Sequence, residues 1–188
     1  TVANGAPVAR DDAFAVSAAG PATPGDVLAD NGAGPDSDPG GDALAVVSVA
    51  GGTIPVGAGG ALPSGARLTL GADGTLAYDP AGAFDALPAG AAATEVFAYA
   101  VSDGRGGTDA AEVTLTVAGV NDAPVAAPDA AVSEAGAPVP IPVLANDADP
   151  DAGESPVLRR VDGRVALAGV AITLAGSGAT VTPDGAGG

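Results

Sequence analysis

The sequence predicts an all-β chain of tandem seven-stranded β-sandwich modules, the second of them incomplete. Three observations lead there. Asn4-Gly5-Ala6-Pro7-Val8-Ala9 recurs as Asn121-Asp122-Ala123-Pro124-Val125-Ala126, the mark of a tandem array. Short runs alternate apolar and polar residues with the period of two that a half-buried strand requires. Thirty Gly and 17 Pro punctuate those runs, and no stretch combines helical periodicity with capping residues.

The repeat extends beyond its first six residues. Asp12 matches Asp129, Val16-Ser17 matches Val132-Ser133, and Val27-Leu28-Ala29 matches Val143-Leu144-Ala145. Asp36-Ser37-Asp38-Pro39 then matches Asp147-Ala148-Asp149-Pro150, after a longer loop in the first copy. The first module therefore covers residues 1–120 and the second residues 121–188, which is long enough for the first strands only. Seven strands are expected in the first module, over residues 8–16, 26–28, 44–49, 67–70, 75–78, 94–102 and 112–117. Arg67-Leu68-Thr69-Leu70, the turn Gly71-Ala72-Asp73-Gly74 and Thr75-Leu76-Ala77-Tyr78 read as a hairpin. Phe97-Ala98-Tyr99-Ala100-Val101 places its large residues on one face. Such strand spacing in a domain of this length fits a sandwich.

Composition narrows the chemistry. There is no Cys, so no disulfide framework, zinc thiolate site or thiol nucleophile, and no His, the commonest general base. The net charge is −17, from 23 acidic residues against six Arg. Nucleic acid and anionic membranes both require cationic surface, so neither is a partner. No apolar run is long enough to span a membrane, so no membrane insertion is expected. Nineteen of the acids are Asp, a residue suited to turns and to ligating hard cations. An acidic surface of the halophilic kind is the plainer explanation of the charge.

Position favours ligation. In a seven-stranded sandwich the leading segment, the loop after the second strand and the loop before the last strand share one end. Those segments hold Asn4, then Asp36 and Asp38, then Asp103 and Asp109. Calcium takes six to eight oxygens from such mixed sources, and Asp-x-Asp spacing lets two carboxylates turn toward one ion. The second copy repeats the pattern with Asn121 and Asp122 in the linker and Asp147, Asp149 and Asp151 in the loop, to which Glu154 adds. Each of these is also an ordinary turn residue. That reading leads for Asp73, Asp79, Asp85, Asp162 and Asp184, while the paired clusters point to calcium as the bound cofactor.

Residues 103–107 (Asp-Gly-Arg-Gly-Gly), a strand, and then Asn121-Asp122-Ala123-Pro124 resemble the order of motifs in cadherins. Gly74-Thr75-Leu76-Ala77-Tyr78-Asp79-Pro80, Phe97 to Gly107 and Val120 to Val125 look more closely like bacterial cadherin-like repeats of the VCBS type. The resemblance covers nearly the whole chain. It implies Ig/cadherin-like sandwiches acting as spacers in large secreted or cell-surface adhesins of the RTX kind, exported by type I secretion and rigidified by extracellular calcium. It also implies that Glu134, where cadherins place a ligating Glu on the first strand, joins the metal ligands. The first module has Ala18 there and Gly5 where the second has Asp122, so its site is poorer in carboxylates. The implied partners are neighbouring repeats of the same chain, and beyond them another copy or a surface receptor. An adhesive or carbohydrate-binding module is the alternative, weakened by only three Phe and two Tyr for stacking. No nucleophile or base constellation supports an enzyme.

Overall fold

A computed structural model describes residues 4–132, 139–161, 164–165, 172–173 and 180–182. The chain divides into two compact units, Thr1–Asn121 and Asp122–Gly188.

The first unit is a two-sheet sandwich of eight strands: β1 (Asp12–Ser17), β2 (Ala22–Asp26), β3 (Ala45–Val49), β4 (Gly60–Ala61), β5 (Arg67–Leu70), β6 (Thr75–Asp79), β7 (Ala92–Ser102) and β8 (Thr108–Ala118). One sheet runs β1-β8-β7-β3 and the other β2-β6-β5-β4. The hairpin of β5 and β6 forms where the sequence places it, with Leu68 opposite Tyr78 and Leu70 opposite Leu76. The long β7–β8 ladder, from Ala92↔Ala118 to Ser102↔Thr108, is the backbone of the unit. Its alternation sends Phe97, Tyr99 and Val101 inward with Val113, Leu115 and Val117, against Leu68, Leu70, Leu76 and Tyr78 of the other sheet.

Several boundaries differ from the sequence expectation: β7 begins at Ala92 and β8 at Thr108, which puts Asp109 in the last strand, opposite Val101, and not in the loop before it. The second strand covers Ala22–Asp26 and not residues 26–28, because the Asp26 carboxylate accepts the Leu28 N–H at 2.8 Å and turns the chain there. The ladder of the first strand starts at Asp12, while Val8 stands apart in an isolated bridge to Ser37. The two-residue β4 was not anticipated; its glycine packs against Ile54, leaving no room for a side chain. Gly25 is held to glycine for the same reason, since a Cβ there would lie 2.7 Å from the Phe14 ring.

The pairing directions determine where the loops meet. β1 runs parallel to β8 with Asp12 opposite Val113, so the residues before Asp12 lie beside those before Val113. β3 runs antiparallel to β7 with Ala45 opposite Ser102, so the residues before Ala45 lie beside those after Ser102. The leading segment, the β2–β3 loop and the β7–β8 loop thus share one pole.

In the second unit β9 (Arg160–Val161) pairs with β10 (Arg164–Val165), and β11 (Ile172–Thr173) with β12 (Thr180–Val181), both antiparallel. A bridge joins Val125 to Ala148, the counterpart of Val8 to Ser37.

Candidate metal centres

At the pole of the first unit all three segments are tied together through aspartates. The Asn4 side chain donates to Asp103 Oδ2 at 2.7 Å. The other oxygen of Asp103 accepts the N–H of Arg105 at 2.7 Å and of Gly107 at 2.9 Å, closing the loop on itself. The Arg105 N–H, foremost among these donors, holds the Asp103 carboxyl below its usual range. Asp109 accepts the N–H of Ala9 at 2.9 Å. Asp38 accepts the N–H of Gly40 and Asp42 on one oxygen, and its Oδ2 is buried without a hydrogen-bond partner. Arg105 pairs with Asp42 at 2.7 Å, so a side-chain cation already sits among these carboxylates.

Asp36 faces the other way. Its Oδ1 accepts the Arg10 N–H at 2.7 Å and its Oδ2 accepts the Tyr99 hydroxyl at 2.9 Å. That hydroxyl also lies 3.1 Å from the carbonyls of Arg10 and Val27. Asp12 completes this hub. It is 3% exposed, its Oδ1 accepts from Asn31 at 2.9 Å, and its Oδ2 has no partner. Burial pushes the Asp12 carboxyl up to about 6 and raises Asp36 and Tyr99 as well. Asp12, Asn31 and Tyr99 were not among the sequence candidates. The signal was present, since period two places Asp12 on the same face as Phe14 and Val16.

The second unit repeats the scaffold with different charges. Asp147 accepts the Ala127 N–H at 2.8 Å, matching Asp36 with Arg10. Asp151 is 2% exposed, and its Oδ2 accepts the Asp122 N–H at 2.8 Å. Its Oδ1 is buried with no hydrogen-bond partner. Carboxylate oxygens of Asp149, Asp151 and Glu154 lie within 4.8 Å of one another. Anionic oxygens this close repel unless a cation joins them, and an all-oxygen set with one orphaned buried atom suits a hard ion such as calcium. Asn121 and Asp122 flank the unit boundary, and the Asp122 backbone reaches this cluster. Glu134 lies outside the described residues.

Correspondence between the copies explains the contrast. The alignment that pairs Asp36 with Asp147 and Asp38 with Asp149 pairs Gly40 with Asp151. The first unit therefore has glycine at both positions, Gly5 and Gly40, where the second brings Asp122 and Asp151 together. A Cβ at Gly40 would lie 2.9 Å from Asp38 Oδ1 and 3.3 Å from Asp42 Oδ2, so a new side chain there would enter a carboxylate cluster.

The family model of a bacterial cadherin-like domain matches residues 4–119, and that of a bacterial Ig domain matches residues 121–187. No curated protein matches the chain.

Proposed function

The chain belongs to the bacterial cadherin-like domain family, and from that premise we propose that it is a calcium-rigidified structural spacer of a large secreted or cell-surface adhesin. Domains of the two matched kinds are structural and adhesion modules, not enzymes, and are typically extracellular parts of surface proteins with neighbouring domains in the same chain. Among the described residues no helix is long and apolar enough to cross a membrane.

The observation that supports calcium is the gathering of Asp149, Asp151 and Glu154, together with the buried, unpartnered Oδ1 of Asp151. Asp149, Asp151 and Glu154 would hold the ion, with Asp122 and Asp147 anchoring the loop around it. Bound calcium supplies the positive charge this loop lacks. It would couple the linker residue Asp122, already bonded to Asp151, to a rigid loop, and so restrict the linker. Asn4, Asp38 and Asp103 would form the corresponding, weaker centre of the first unit, with Asp109 positioning the leading strand. In millimolar extracellular calcium the array stiffens, and in calcium-poor cytoplasm it stays loose enough for export.

Calorimetric unfolding in EDTA, then with millimolar calcium, matched magnesium and high potassium, tests this reading. A transition that rises with calcium alone is expected, by about 2.7 kcal/mol at a hundredfold excess over the dissociation constant. Equal rises in all three salts would reduce the acidity to general charge screening and remove the calcium assignment.

A further inference from the structure

The first unit contains a second gathering of oxygens, the hub around Tyr99, with a ligand set distinct from Asn4, Asp38 and Asp103. Asp12, Asp36 and Tyr99 come from β1, the β2–β3 loop and β7. Both carboxylates lie against the one tyrosine hydroxyl and repel each other. The hydroxyl carries a single proton, yet Asp36 Oδ2, the Arg10 carbonyl and the Val27 carbonyl all lie within 3.1 Å of it. One proton cannot serve three acceptors. Asp12 Oδ2, in a side chain almost fully buried, has no donor in hydrogen-bond geometry, and the one Tyr99 proton that lies near it is already directed to Asp36 and the carbonyls.

Buried anionic oxygen without a partner is expensive, and proteins compensate it with a donor, a counter-charge or a metal. The charged groups facing the hub provide little of that compensation. Arg10, the adjacent cation, donates its guanidinium to the Ala33 carbonyl and makes no salt bridge to either aspartate, so it acts on Asp36 only through its more distant charge. Asp109 and Asp11 add further negative charge. What remains is a surplus of hard oxygen: two carboxylates, a phenol and two backbone carbonyls drawn from three elements. That is the mixture of ligand types calcium accepts, with water completing the shell.

We propose that the Asp12–Asp36–Tyr99 hub is a part-buried cation site of the first unit, taking calcium or a similar hard divalent ion, with Asp12 as its anchoring ligand. The site is independent of the Asp149–Asp151–Glu154 cluster. An ion there ties the first strand to β7 and to the loop that carries Asp36, so it stiffens the module itself, whereas the ion of the second unit acts on the linker.

Terbium is the probe. It replaces calcium and emits when an excited aromatic ring lies close by. The chain has no Trp and two tyrosines, Tyr78 and Tyr99, and the second unit contains neither. Excitation of tyrosine in the full chain is expected to give terbium emission that calcium displaces. The emission should persist in Tyr78→Phe and in Asp151→Asn, and weaken at least tenfold in Asp12→Asn and in Tyr99→Phe. Absence of emission from the unmodified chain overturns the site, and so does emission unaffected by Asp12→Asn or lost in Asp151→Asn. Absence of emission together with an Asp12 carboxyl carbon that titrates near neutrality would mean that a proton fills the hub. Should Asp12→Asn fail to fold, the unmodified chain and Tyr78→Phe still decide. Emission that survives while calcium leaves the second unit's transition unmoved would reject the spacer reading and keep this one; the converse pattern would do the reverse.

Discussion

The two units share a scaffold and differ in the residues they bring to its loop. Each has the bridge between leading segment and loop, Val8 with Ser37 and Val125 with Ala148, and each anchors it with an aspartate that accepts a backbone N–H. In the first unit the buried side chains are overwhelmingly hydrocarbon, from Val16 to Val117, with Tyr78 and Tyr99 at the centre. In the loop of the second unit Asp151, a carboxylate, is 2% exposed and keeps one oxygen without a hydrogen-bond partner. The difference teaches that one loop geometry can carry a glycine in one copy and a buried carboxylate at the same position in the next. The copies differ there at two positions: Gly5 and Gly40 in one, Asp122 and Asp151 in the other.

The largest effect should come from breaking the hydrocarbon side of this contrast. Leu115→Ala removes a fully buried side chain of β8 and is expected to cost about 2–5 kcal/mol. Denaturant unfolding should show that loss in the first unit with and without calcium; rescue by calcium would mean that packing does not govern this unit. Next, Asp151→Asn should lower calcium affinity at least tenfold, about 1.4 kcal/mol, and leave the second unit's transition the same in EDTA and calcium. Isothermal titration reads the affinity, and an unaltered isotherm would place the ion elsewhere.

Gly40→Asp gives the first unit the carboxylate that the second already has. It should destabilise by about 1 kcal/mol in EDTA, the centre of the range for single substitutions, and recover that loss in calcium. Destabilisation indifferent to calcium would show that the two loops are not equivalent. A pH series in EDTA sharpens the contrast inside the first unit. The folded Asp12 holds its proton up to about pH 6, above the unfolded value. Its contribution to stability is full below the unfolded range and disappears as pH rises through about 6. Asp103, shifted downward, has the opposite sign: its contribution is present above the unfolded value and is lost as pH falls through the lower, folded one. Asp12→Asn should therefore flatten the fall between pH 4 and 7, and an unchanged slope would assign it to other acids. The smallest effect belongs to Arg105→Gln. The exposed pair with Asp42 is worth at most about 1 kcal/mol, and its loss should slightly raise calcium affinity at the first unit's pole.

The sequence made the repeat legible because its turn residues recur in order, and turns are local. The β5–β6 hairpin was readable for the same reason, with Asp73-Gly74 setting its corner. β2 was obscured because Pro24 and Gly25 sit inside the strand, where neither favours one. Only the ring of Phe14, a contact distant in sequence, requires the glycine. The pole residues could be found by loop order, since a sandwich brings those loops together. Asp12 was harder to place. Alternation directs it inward, but its environment comes from Asn31, Asp36 and Tyr99, which meet it only after both sheets pair. The matching Asp129 is exposed, so equivalence in the repeat does not transmit burial.

The parallel pairing of β1 with β8 has a mechanical consequence. Tension along an array pulls the first unit backward at its leading strand and forward at its trailing one. In a parallel pair those opposed pulls slide the strands lengthwise past each other. The rungs from Asp12↔Val113 to Ser17↔Ala118 then bear the load together, where a hairpin pulled from its open end would yield one rung at a time. A chain stretched between a cell and a surface would meet its stiffest resistance at this ladder, beside the strand that carries Asp12.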